Sequence, residues 1–134
     1  MLRAGVQGLT DGAAAAGLPT PLALAVTVLT SEKAAPADLL RQRVATAVVA
    51  ECPGVVCAAA DLQEVKGQAP DIFAVTPGIR PAGVPSHDQG RVASPAEAIK
   101  GGADLLVIGR AVTSSGDPGA AAASIAEEVA SALS

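Results

Sequence analysis

Four short apolar runs, separated by stretches of helical character, constrain this chain more than any other feature. They are Leu22 to Leu29 (LALAVTVL), Gly54 to Ala58 (GVVCA), Asp71 to Val75 (DIFAV) and Asp104 to Ile108 (DLLVI). All four are rich in valine and leucine and alternate little, the pattern expected of strands covered on both faces in a parallel sheet. The segments between them carry helix-start signals. Ser94-Pro95-Ala96-Glu97 spells a capping box with proline at the first helical position. Asp117-Pro118 opens an alanine-rich helix toward Leu133, Pro36 opens one reaching about Glu51, and Leu2 to Ala16 reads as a weaker helix ahead of the first strand.

The order is therefore a helix followed by four βα units, which makes an α/β protein with parallel strands. Two architectures compete. A doubly wound dinucleotide-binding sheet calls for G-x-G-x-x-G after its first strand, whereas this run ends in Leu29-Thr30-Ser31 with no glycine. A (β/α)8 barrel fits better, but a whole barrel takes roughly 250 residues and eight units. The 134 residues present are expected to form a single domain that is half of a (β/α)8 TIM barrel. Such a half has two open sheet edges, so either the chain is a fragment or it needs a partner to close it.

Composition removes several classes of function. Nine basic against thirteen acidic side chains leave a net charge of -4, and the one aromatic residue is Phe73. Neither the basic surface nor the stacking platform of a nucleic-acid binder is present. No apolar run approaches the ~20 residues that span a bilayer. Cys52, Cys57 and His87 stand at no zinc-ligand spacing, and both cysteines read as buried free thiols suited to a reducing cytoplasm.

In a barrel the chemistry sits in the loops after the strands. Thr30 and Ser31 follow the first run, and Ala58-Ala59-Ala60, chemically silent, follows the second. Thr76-Pro77-Gly78-Ile79-Arg80-Pro81 and a polar loop through His87, Asp88 and Gln89 follow the third, and Gly109-Arg110 follows the fourth. Barrels commonly bind phosphate with their last two such loops. Gly109 permits close approach of an anion, Arg110 offers a bidentate guanidinium, Arg80 adds a second positive charge, and Gln89 is a neutral donor and acceptor. A lone arginine after a strand is usually a solvated charge, but Gly-Ile-Arg and Gly-Arg at successive strand ends make a stronger signal. Thr30 and Ser31 can equally serve strand-end backbone groups. His87 reads as solvent-facing, and Glu127-Glu128 reads as a solvated helix face. Lys66 and Lys100 fall late in helices, away from the strand ends, and Lys33 has no aspartate at a spacing that would build a charged array. The chain has a grip for an anion and no catalytic machinery.

The runs Ala25-Val-Thr-Val-Leu-Thr-Ser31, Gly54-Val-Val-Cys57, Val75-Thr-Pro-Gly-Ile-Arg-Pro81, Asp88-Gln89 and Val107-Ile-Gly-Arg-Ala-Val-Thr113 together resemble the bacterial orotidine 5'-phosphate decarboxylases. The likeness covers about residue 20 to the end and matches strands 5 to 8 of that barrel. The segment from Met1 resembles the helix after strand 4.

The resemblance implies decarboxylation of orotidine 5'-phosphate to uridine 5'-phosphate, in the cytoplasm, without metal or organic cofactor. Full-length members are homodimers with active sites near the interface. It also implies that Thr30 and Ser31 contact the nucleotide, with Ser31 meeting the base. Arg80 then matches the arginine of the strand-7 loop, Gln89 links base and phosphate, and Gly109 with Arg110 clamps the phosphate. The family's Asp-x-Lys-x-x-Asp motif, which stresses the substrate carboxylate and protonates the carbanion, is missing, so no catalytic residue is assigned in this chain. The segment between Ser31 and Leu40 is shorter than in many relatives. Two alternatives stay open: a non-catalytic nucleotide-binding half-barrel that self-associates, and another phosphate-binding barrel such as a sugar-phosphate decarboxylase or epimerase.

Overall fold

A computed structural model describes residues 1–28, 36–81 and 92–134. The elements follow the expected alternation. Helix α1 (Leu2–Ala16) precedes strand β1 (Leu24–Val26), and helix α2 (Ala37–Val49) leads to β2 (Gly54–Val56). A 3-10 turn (Ala59–Asp61) and α3 (Leu62–Gln68) lead to β3 (Phe73–Pro77). Then come α4 (Pro95–Lys100), β4 (Leu105–Val107), the short α5 (Arg110–Thr113) and α6 (Pro118–Leu133).

The strands are parallel and lie in chain order, β1-β2-β3-β4. Register puts Ala25, Val55 and Ala74 in one row, and these small buried side chains meet the helices. Leu40, Val44 and Ala47 of α2, Leu62 and Val65 of α3, and Ala98 of α4 join them in one core. The adjoining row, Leu24, Gly54 and Phe73, points the other way. Gly54 is glycine for a packing reason. A Cβ there would stand 2.6 Å from Leu24 Cδ2 and 2.9 Å from the Phe73 carbonyl oxygen.

Two expectations need correction. Burial on both faces holds for the central strands, but β1 and β4 alternate, leaving Leu24, Val26, Leu105 and Val107 exposed. Edge strands have a neighbour on one side only, so their outward rows lack cover among the described residues. The third strand also starts two residues later than its apolar run. Ile72 N–H bonds back to Ala69 O in a turn, and pairing extends forward to Pro77.

The helix starts were legible. Ser94 Oγ accepts from Glu97 N–H at 3.2 Å while Glu97 Oε2 accepts from Ser94 N–H at 2.8 Å, completing the capping box. Those bonds hold the Glu97 carboxyl below its ordinary pKa. Asp117 Oδ1 accepts from Ala120 N–H at 3.0 Å, with Pro118 at the first helical position. Cys52 and Cys57 are buried free thiols. Among the described residues no helix is long and apolar enough to cross a membrane.

At the opposite end from the strand-end loops, one clasp ties α3 to the sheet. Lys66 Nζ donates to Asp104 Oδ2 and to Ile72 O, each at 2.8 Å, and Ala74 N–H donates to the same Asp104 oxygen at 2.7 Å. Partial burial pushes the Asp104 pKa up, but the Ala74 bond and the Lys66 ammonium outweigh it and hold the carboxyl below its usual range. A depressed carboxyl contributes stability above its unfolded pKa, and loses that contribution as pH falls through the folded value. Unfolding free energy will therefore drop as pH goes below about 4. In Asp104→Asn that acid limb will be shallower in urea titrations; an unchanged slope would remove Asp104 from the pH dependence.

Candidate functional site

Parallel strands release their following loops at one end, and the register aligns the two arginines there. Pro77 of β3 pairs with Val107 of β4. Arg80 and Arg110 each stand three residues beyond that pair, on neighbouring strands that in a sheet lie about 4.8 Å apart. Both leave the same end of the sheet.

Arg80 is set by the turn that follows β3. Gly78 has φ 82°, a left-handed conformation that favours glycine. Ile79 is fully buried and bridges Ala93 in parallel fashion. Arg80 N–H donates to Ala93 O at 2.9 Å, so Gly78–Pro81 and Val92–Ser94 are held side by side. The Arg80 side chain is 6% exposed, and its Nη1 donates to Ile79 O at 2.8 Å. Its Nε is buried with no hydrogen-bond partner among the described residues. A guanidinium so enclosed has little freedom, and its remaining donors favour an anionic acceptor.

Gly109 sits at the N-terminus of α5, where a Cβ would meet no heavy atom of the described residues within 4 Å. Packing among the described residues does not demand glycine there, and the clearance is available to a ligand atom. Arg110, exposed, is the first residue of α5, which is anchored by buried Ala111. Thr30, Ser31 and Gln89 lie outside the described residues, as do Lys33 and His87.

Two groups differ from what the sequence suggests. Asp61 closes the 3-10 turn after β2 and is 7% exposed, so the loop judged silent from its three alanines ends in a buried carboxyl at the strand-end side. An acidic residue five positions beyond a barrel strand's end was the available signal. Glu128 is not the solvated residue expected. Its Oε1 accepts from Ala96 N–H at 3.1 Å and satisfies an amide in the first turn of α4. That bond spans 32 positions, and nothing in the local sequence announces it. Among the described residues no three His, Cys, Asp or Glu side chains gather as a metal site requires.

Comparison with known proteins identifies the family. The family model described as Orotidine 5'-phosphate decarboxylase / HUMPS family matches residues 2–125. The orotidine 5'-phosphate decarboxylase of Methylobacterium sp. (strain 4-46) is 49% identical over 120 residues, covering 81% of this chain and 51% of that protein. The enzyme of that name from Thermobifida fusca (strain YX) is 44% identical over 128 residues, covering 87% of this chain and 55% of the relative. The crystal structure of orotidine 5'-phosphate decarboxylase from Lactobacillus acidophilus superposes with a TM-score of 0.70 at 31% identity, over 96% of this chain and 58% of that one. The chain thus spans about half the length of the curated relatives it matches, and its sheet is half of a (β/α)8 barrel. It belongs to the orotidine 5'-phosphate decarboxylase / HUMPS family.

Proposed function

We propose that this chain is the phosphate-gripping half of an orotidine 5'-phosphate decarboxylase, equivalent to strands 5 to 8 of the barrel, working on orotidine 5'-phosphate in the cytoplasm. The observation that carries the reading is the alignment of Arg80 and Arg110, each three residues past the Pro77–Val107 pair. Two guanidinium groups issuing from one end of adjacent strands suit the dianionic phosphate of a nucleotide. Gly109 leaves room for a phosphate oxygen beside Arg110. Gln89 falls in sequence between Ile79 and Ala93, which are joined by a bridge, and that suits a residue that joins base to phosphate. Thr30 and Ser31 follow β1 and take the nucleoside, with Ser31 toward the base.

In the reaction the bond from the pyrimidine ring to its carboxylate breaks, carbon dioxide leaves, and the electron pair left on the ring carbon takes a proton. That step needs a carboxylate to stress the substrate and an ammonium to deliver the proton. No Asp-x-Lys-x-x-Asp stands in this sequence to supply them. This half contributes binding energy from the phosphate, remote from the reacting carbon, which decarboxylation uses to hold the base in place.

Calorimetric titration of the chain with uridine 5'-phosphate and with uridine tests the reading. The nucleotide will bind more tightly than the nucleoside. Arg110→Ala will lower nucleotide affinity by about tenfold to a hundredfold, the worth of charge-assisted bonds, and leave uridine unchanged. Equal losses for both ligands would remove Arg110 from the phosphate site.

A further inference from the structure

Arg43 stands where the inner face of α2 would take a hydrocarbon. That face presents Leu40, Val44 and Ala47, all buried in the core. Arg43 comes three residues after Leu40 and four before Ala47, on the same stripe, and it is half-buried. Arg41, exposed on the same helix, pairs with Asp38 and Glu64 as a surface arginine does. Arg43 is used differently. Its Nη1 donates to the carbonyl oxygen of Thr27, the residue just beyond β1. A guanidinium drawn out of water costs stability unless its donors are taken up, so this bond is what sustains an arginine on an otherwise apolar stripe.

The bond secures the end of β1. Pairing of β1 with β2 stops at Val26–Val56. Thr27 follows, 1% exposed, with its N–H and its Oγ1 both donating to Val56 O, at 3.0 and 2.8 Å. Those bonds tie Thr27 to the neighbouring strand, and Arg43 ties its carbonyl to the helix layer. Val28 then packs into the core. Among the described residues β1 is three residues long and has a neighbour strand on one side only, so its end would otherwise be prone to fray. Thr30 and Ser31 come three and four positions after Thr27 in sequence.

We infer that Arg43 is a positioning residue for the nucleoside end of the site. By holding the Thr27 carbonyl it fixes the point from which the chain runs on to Thr30 and Ser31. The inference rests on the reading above, in which those two residues take the nucleoside. It separates Arg43 from Arg80 and Arg110. They meet the phosphate, whereas Arg43 acts through backbone on the part that nucleotide and nucleoside share.

Arg43→Leu in the full chain tests this, because leucine completes the apolar stripe and removes only the donor; circular dichroism verifies the fold. Amide hydrogen exchange will be about tenfold faster at Thr27, the worth of one charge-assisted bond, and unchanged at Ala74, whose N–H is held by Asp104 at the other end of the sheet. Calorimetric titration will show uridine 5'-phosphate and uridine weakened by the same factor, again about tenfold. Arg110→Ala, by contrast, costs the nucleotide alone. Arg43→Lys keeps a donor and will recover part of both losses. An arginine that served only the fold would move the urea midpoint and leave both affinities where they were, and that result would overturn the inference. So would an unchanged Thr27 amide, or a loss confined to the nucleotide. If the unaltered chain binds neither ligand, the proposed function fails and the nucleoside role of Arg43 fails with it, while the exchange result still decides whether Arg43 anchors β1.

Discussion

Ile79→Ala will destabilise the chain by about 2–5 kcal/mol, the range for emptying a fully buried isoleucine site. Ile79 is 0% exposed, belongs to the core shared by the sheet and helices, and pairs across the bridge to Ala93. Domains of this size hold about 5–15 kcal/mol in all, so the loss is a large share of the total. The substitution also reaches the site, because the Ile79 carbonyl accepts from Arg80 Nη1 and the neighbouring Arg80 N–H holds Ala93. Urea unfolding will show a lowered midpoint at unchanged slope. Titration at a denaturant-free temperature where the variant is folded will show weaker nucleotide binding as well. Ile79→Val keeps most of the side chain and will cost about 0.5–1.5 kcal/mol, with binding intact. If Ile79→Ala unfolds with the unaltered chain, the turn does not depend on the core in the way described.

The same turn marks the boundary of what the sequence discloses. Thr76-Pro77-Gly78-Ile79-Arg80 is a strand end by composition, and its glycine announces a left-handed residue, as Gly78 shows at φ 82°. That Arg80 lies folded beneath the bridge, 6% exposed, depends on Ala93, thirteen positions on. Local signals of this kind were complete wherever the cause is local. Ser94 with Glu97, and Asp117 ahead of Pro118, satisfy amides at the helix starts from within four residues. Apolar runs located the strands but not their ends, because pairing, and not hydropathy, decides where a strand stops. Phe73–Pro77 begins late since Asp71 and Ile72 are held in a turn, with Ile72 O taken by Lys66. The candidate site divides likewise. Gly109 and Arg110 were legible because a glycine-arginine pair at a strand end has few structural uses. Asp61 was not, because a carboxyl in a short turn looks solvated until the fold buries it.

Gly54→Val will cost about 3 kcal/mol or more, from overpacking against backbone as well as side chain. At Gly54 the new Cβ is aimed at two groups of unequal give. Leu24 Cδ2, 2.6 Å away, is the tip of a side chain 39% exposed, and it can swing toward solvent. The Phe73 carbonyl oxygen, 2.9 Å away, belongs to β3, which is paired to β2 and β4, and it cannot move without shifting the ladder. Gly54→Ala will therefore destabilise even though alanine narrows the unfolded ensemble and so favours folding by about 0.4–1 kcal/mol at an unstrained site. A double-mutant cycle separates the two contacts. With Leu24→Ala in place, the side-chain clash is gone and the cost of Gly54→Ala will shrink; what persists is the backbone clash. A cost that vanishes entirely in that background would assign the whole effect to Leu24 and place the β2–β3 backbones farther apart than described. A cost that does not change at all would assign it to the Phe73 carbonyl alone. The intermediate result is expected, because the row Leu24–Gly54–Phe73 closes from both sides on a position that only glycine leaves open.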